Sequence, residues 1–162
     1  MDSLVQDDCF FTAIDMEWSI DIENGIQGPV SLISMAFEHE IFLILLTQYW
    51  HDGGLPNSFL TFLCSPKICK VGIKINADLK QLFKDCGFTE KHQPFVGAIE
   101  LGHLSKEKNI MTNAGLGLAN LTAQILQLFL PKDPSICIST TWDNSELTDS
   151  QENYAVLNVY AT

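Results

Sequence analysis

The chain has 162 residues, with 9 basic and 20 acidic side chains and a formal net charge of −11. One domain spanning 1–162 is the natural reading, since a chain near 150 residues builds a single core without staples. With 46% hydrophobic and 18% charged residues, a disordered chain is excluded. Every cation is a lysine, and the pI near 4.5 excludes a salt-driven nucleic-acid binder, whose footprint is a basic patch.

The longest apolar run, Ile41 to Leu46, is far short of the ~20 residues a membrane helix needs, so no membrane span is expected. The start, Met1-Asp2-Ser3-Leu4, lacks the basic opening of a secretory signal. Five cysteines, Cys9, Cys64, Cys69, Cys86 and Cys137, include no Cys-x-x-Cys pair. They read as reduced thiols rather than a zinc site, and the expected location is intracellular, nucleus or cytoplasm left open.

Phe10 to Trp18 reads as a first strand, β-branched and aromatic, with its acids at the end. Ser19 to Pro29 carries turn chemistry and reads as a loop. Val30 to Phe37 and Ile41 to Thr47 read as strands two and three. The third is nearly all apolar, so it is expected at the centre of the sheet. Leu55-Pro56-Asn57-Ser58 opens a short helix with Phe59, Leu60, Phe62 and Leu63 as its apolar set, ended before Pro66. Lys70 to Ile75 is a fourth strand, and Asn76 or Asp78 can cap the helix that follows, with Leu79, Leu82 and Phe83 as its apolar face. Phe95 to Leu101 is a fifth strand, and Leu116 to Leu130 the longest helical pattern. The final helix opens on a capping box, Thr148 with Gln151 three residues on, and carries Tyr154, Leu157 and Tyr160. Three antiparallel strands followed by alternating helix and strand give an α/β domain with a mixed sheet.

Asp15 and Glu17 are two apart on a strand, so both carboxylates leave the same face. Two neighbouring carboxylates repel unless a cation lies between them, and an all-oxygen pair favours magnesium or manganese over zinc. The plainer reading is a strand end reaching solvent. Asp78 reads equally as a first-turn acid at a helix start. Tyr154 and Asn158, four apart on the last helix, share a face.

The order is informative: Ile14-Asp15-Met16-Glu17-Trp18, then Val71-Gly72-Ile73-Lys74-Ile75-Asn76-Ala77-Asp78, then Trp142, Leu147-Thr148-Asp149-Ser150-Gln151, Tyr154-Ala155 and Tyr160-Ala161. On these residues the sequence resembles the DEDD 3′–5′ exonucleases of the DnaQ-like, ribonuclease H-like fold. Within them it is most similar to the tyrosine subgroup that holds the Werner syndrome exonuclease and ribonuclease D, with a degenerate third motif. The resemblance spans essentially the whole chain. It implies a mixed sheet of three antiparallel strands followed by parallel strands, flanked by helices.

The resemblance also implies metal-dependent hydrolysis of phosphodiesters from the 3′ end of single-stranded DNA or RNA. Two magnesium or manganese ions are expected. Asp15 would bridge them, Glu17 would hold the one on the nucleophile side, Asp78 would support the other, and Tyr154 would orient the water. The family's fourth acid falls at Asn158, which offers a neutral carbonyl in place of a charge, so attenuated activity is expected. The alternative is an inactive pseudo-exonuclease kept as a nucleic-acid or protein scaffold, with a homo-oligomer or protein partner. Trp18 is a candidate for stacking on a terminal base, or for strand-end packing. Lys74 belongs to a cluster with Lys67, Lys70, Lys80 and Lys84 that could line a groove or form a solvated face. His39, His51, His92 and His103 are assigned surface or structural roles.

Overall fold

The computed structural model describes residues 9–89, 91–92 and 94–162. Met1–Leu4, read above for the lack of a secretory start, lies outside the described residues. The strands are β1 (Phe10–Asp21), β2 (Ile26–Phe37), β3 (Glu40–Leu45), β4 (Ile68–Gly72) and β5 (Ala98–Glu100). The helices are α1 (Thr47–His51), α2 (Asn57–Cys64), α3 (Ile75–Asp85), α4 (Leu101–Glu107), α5 (Leu118–Ile125), α6 (Pro134–Cys137) and α7 (Asp149–Tyr160). Among the described residues no helix is long and apolar enough to cross a membrane.

The sheet order is β3-β2-β1-β4-β5. β1, β2 and β3 pair antiparallel, while β1 with β4 and β4 with β5 pair parallel. This is the expected α/β mixed sheet. Side-chain alternation along β1 divides the domain into two layers of core. Ile14 and Met16 face one way, into a cluster with Val30, Ile33, Leu63, Ile75, Leu79 and Leu82 beneath α2 and α3. Glu17 pairs with Leu32, which faces the opposite way and packs with Trp142, Tyr154 and Ala155 beneath α7.

Several elements depart from the sequence reading. The stretch 19–29 is mostly strand: β1 runs on to Asp21 and β2 begins at Ile26, so only the tip turns. The Asp21 carboxylate accepts the Glu23 and Asn24 backbone N–H groups at 3.0 and 3.2 Å, and Gly25 takes φ +65°. The loop residues are therefore the hairpin's own turn chemistry.

β3 is an edge strand rather than a central one, with Phe42 exposed. Its continuous apolar run still serves both layers: Leu43 and Leu45 pack on the Trp142 cluster and Ile44 on the Ile14 cluster. The fourth strand ends at Gly72, and α3 starts at Ile75. Neither Asn76 nor Asp78 caps it, because the cap position is Lys74 in the left-handed region, φ 61° and ψ 21°. The fifth strand is only three residues long, and α4 follows directly.

The long helical pattern of 116–130 stops at Ile125. Gln127 takes φ +56°, and Phe129 is left 88% exposed. On α7 the capping box forms as expected: the Thr148 Oγ1 accepts the Gln151 N–H at 3.3 Å and the Gln151 Oε1 accepts the Thr148 N–H at 3.0 Å. The inward stripe is Gln151, Tyr154, Ala155, Asn158 and Val159, whereas Leu157 and Tyr160 face water. Two of the five inward positions are polar, so the amphipathic signal is hidden.

Candidate active site

β1 and β4 pair only from Phe10 with Ile68 to Ala13 with Val71. Beyond that point β1 continues while β4 turns away, which opens a crevice at the carboxyl end of β4. Open α/β sheets bind ligands at such ends. Asp15 and Glu17 lie on the stretch of β1 that flanks this crevice. Gly72 lets the two strands stay close: a Cβ there would sit 2.8 Å from the Ile14 carbonyl oxygen. The Glu100 carboxylate accepts the Ile75 N–H at 2.9 Å and holds the first turn of α3, which carries Asp78.

α7 packs across β1, β2 and β3 and brings Tyr154 and Asn158 onto the same cluster. Tyr154 is fixed by Trp142, with ring centroids 6.0 Å apart, and the Trp142 indole donates to the Ile136 carbonyl at 3.0 Å. The structure therefore gathers all five predicted residues, Asp15, Glu17, Asp78, Tyr154 and Asn158. A cavity of about 330 Å³ opens beside them; Asp15 lines it, with Lys74, Asn120 and Lys132 among others.

Charge dominates this cluster. Asp15 and Glu17 are half-buried, but protein crowds their carboxyl groups. Burial holds the Asp15 carboxyl above the ordinary carboxylate range, opposed by the nearby Lys132 ammonium and a hydrogen bond with Asn158. Glu17 is pushed up to about 9, first by burial and then by the Asp15 charge. Asp78 is pushed up to about 7 by burial, with Asp15 and Glu100 adding to it and Lys74 opposing. Burial also raises the Tyr154 hydroxyl, which stays protonated. Three acids that resist ionisation together form a site short of positive charge.

The donors on Asp15, Glu17 and Asp78 are all oxygen, as a hard divalent ion requires. Among the described residues, however, no three His, Cys, Asp or Glu side chains converge closely enough to form a ready-made metal cluster. The side of the site beside Asn158 differs in kind. The Lys132 Nζ donates to the Asn158 Oδ1 at 2.9 Å and to the Tyr154 hydroxyl at 3.4 Å, and lies 5.1 Å from the Tyr154 ring centroid. Lys132 is absent from the sequence reading. A single lysine in a polar loop between Pro131 and Asp133 gives no signal of this role.

The other two predicted residues behave differently from each other. Lys74 is exposed and lines the cavity. Trp18 packs against the core cluster of Ile14 and Met16, as strand-end packing would have it. In the lysine cluster, Lys70 is fully buried. It donates to the Ser65 and Val96 carbonyls, both at 2.9 Å, so it ties β4 to the end of α2 and to the segment before β5 instead of lining a groove. Lys67, Lys80 and Lys84 are exposed.

Comparison with known proteins agrees with this geometry. A "3′–5′ exonuclease" from Arabidopsis thaliana is 27% identical over 153 residues, covering 94% of this chain and 50% of its own length. The mouse bifunctional 3′–5′ exonuclease/ATP-dependent helicase WRN is 30% identical over 148 residues, 91% of this chain and 10% of that protein. The chain thus spans half or less of these relatives. A crystal structure of the EXD2 exonuclease domain superposes with a TM-score of 0.51 at 28% identity, covering 93% of this chain and 72% of that one. Another, soaked in Mn and Mg, gives a TM-score of 0.52 and covers 96% of this chain and 74% of that one. A family model described as "3′–5′ exonuclease" matches residues 7–162, and the chain belongs to that family.

Proposed function

We propose that this domain removes nucleotides from the 3′ end of single-stranded DNA or RNA by divalent-ion-dependent hydrolysis, at an attenuated rate. The observation that carries this reading is the gathering of Asp15, Glu17, Asp78 and Tyr154 around one cluster short of positive charge, with Asp15 lining the cavity beside it. Asp15, Glu17 and Asp78 would hold a magnesium or manganese ion. Such an ion supplies an activated water and stabilises charge on the phosphodiester. The family acts on nucleic acid, and solved EXD2 exonuclease domain structures include one soaked in Mg and GMP.

The chain's own groups support the same chemistry. The Tyr154 hydroxyl stays protonated, so it can donate to or orient a water beside Asp15. Lys74 borders the cavity and can meet a backbone phosphate as a point charge. The attenuation rests on Asn158, which supplies an amide where a fourth carboxylate would add a full negative charge. A scaffold without turnover is the second reading, favoured by the Lys132 contact on that amide.

The test is digestion of a 5′-labelled single strand, RNA and DNA in turn, with manganese, resolved on a gel. Wild type should give a slow 3′-shortening ladder that disappears in Asp15→Ala. Asn158→Asp combined with Lys132→Met, which leaves the new carboxylate unpaired, should speed it by about tenfold, equal to roughly 1.4 kcal/mol of barrier. A silent wild type with an active double variant would mean an assembled but idle site. Silence in all three would overturn the exonuclease reading.

A further inference from the structure

We propose that the Lys132 ammonium is a resident cation at the Asn158 side of the acid cluster, so that the site takes one divalent ion and not two. The inference rests on the exonuclease reading for one point only, that the acids take a divalent ion at all.

Geometry is the first support. Lys132 Nζ meets Asn158 Oδ1 at 2.9 Å, Tyr154 Oη at 3.4 Å and the Tyr154 ring at 5.1 Å, and lines the same cavity as Asp15. These are the groups that a second ion would need. An ammonium with its three donors directed at oxygen atoms and a ring face is a coordination shell in the manner of a cation.

Asn158 fits between two unlike partners. Its carbonyl oxygen accepts from Lys132. A carboxylate has no proton to donate, so only the NH₂ end of the amide is left to serve a neighbouring acid. Asparagine can thus face an ammonium and a carboxylate at once, which aspartate could not do. The substitution and the lysine form a matched pair.

The position of Lys132 is built rather than incidental, although the side chain as a whole is exposed. Leu130 is buried and anchors the chain on one side. Pro131 restricts the backbone next to it. On the other side the Asp133 carboxylate caps α6, accepting the Ser135 N–H at 2.9 Å. The loop is therefore fixed within two residues either way, and the lysine head is delivered to one place.

Charge balance agrees. Three carboxylates, one ammonium and one divalent ion sum to zero. With a fourth carboxylate and no ammonium, two divalent ions would be needed for the same neutrality. Lys132 lies against Asn158 and Tyr154, while Lys74 stands at the start of α3, the helix that carries Asp78. The Asp15–Asp78 side is the one left for an ion.

The experiment counts bound manganese by EPR of the free ion during titration, with calorimetry in parallel. Asp15→Ala sets the background from the remaining surface acids of a chain whose net charge is −11. Above that background, wild type should bind one ion. The double variant Lys132→Met with Asn158→Asp should bind two, and the single Asn158→Asp should stay at one, because its new carboxylate pairs with the lysine. Two ions in wild type, a count that needs no variant to fold, would overturn the inference. One ion in a folded double variant would also overturn it. No bound ion in any variant would overturn both this inference and the exonuclease reading. One bound ion without any 3′ shortening would overturn the exonuclease reading and leave the inference standing.

Discussion

Glu17→Gln should stabilise the metal-free domain, and more so at high pH. The native carboxyl is pushed from 4.5 to about 9, above its unfolded value. A raised folded value means that the native state holds a proton the unfolded chain has released. The stability it confers is full below about pH 4.5 and is lost as pH rises toward about 9. Within that window each pH unit costs at most about 1.4 kcal/mol. From pH 4.5 to 8 is roughly 3.5 units, so the ceiling is about 5 kcal/mol. Asp15, Glu17 and Asp78 share the burden, and water still reaches Glu17, which brings the expected loss to about 2–4 kcal/mol. Glutamine keeps the shape and carries no titrating proton. Urea unfolding in EDTA at pH 5, 6, 7 and 8 would measure the difference between the two proteins. It should be near zero at pH 5 and reach about 2–4 kcal/mol at pH 8. A difference that stays flat across the series would refute the account of Glu17 as a buried, charge-crowded acid.

Lys70→Met keeps the buried stem but leaves the Ser65 and Val96 carbonyls without their shared donor. It should cost about 2–4 kcal/mol by urea unfolding, far more than an exposed lysine would. Thr148→Ala removes one half of the capping box on α7 and should cost about 1 kcal/mol, read as a lower urea midpoint with an unchanged slope. Gly72→Ala drives a methyl group against the Ile14 carbonyl. It should lower stability by about 1–3 kcal/mol and weaken manganese binding, because the strand it displaces carries Asp15. A variant with wild-type manganese affinity would refute the second half of that expectation.

The assignment of the acid site came from the order of motifs in the family that the chain resembles, and local spacing gave only the faces of its residues. Asp15 and Glu17 declare a shared face through a period of two, and Thr148 with Gln151 declares a helix start three residues apart. Tyr154 and Asn158 then follow from the helical turn. Lys132 was illegible. Its role depends on a loop held by a buried leucine and a capping aspartate, on partners more than twenty residues away. Lys70 was misread because the burial of a lysine depends on which carbonyls happen to face it. β3 was misplaced because an edge strand can also pack on core at both faces, so an apolar run does not say where in the sheet it lies. The long helical pattern at 116–130 was cut short by a left-handed residue at Gln127, a conformation that glutamine does not announce.

The acids of the site lie at Asp15, Glu17 and Asp78, while the helix that completes it carries Tyr154 and Asn158. From Asp78 to Asn158 is 158 − 78 = 80 residues. A ribosome adding roughly 5–20 residues per second takes about 4–16 s over that stretch. Throughout it the acids have already been made while their partner helix does not yet exist. The order of synthesis therefore leaves the acid cluster uncovered until α7 packs across β1, β2 and β3, and a chain truncated before α7 never closes it.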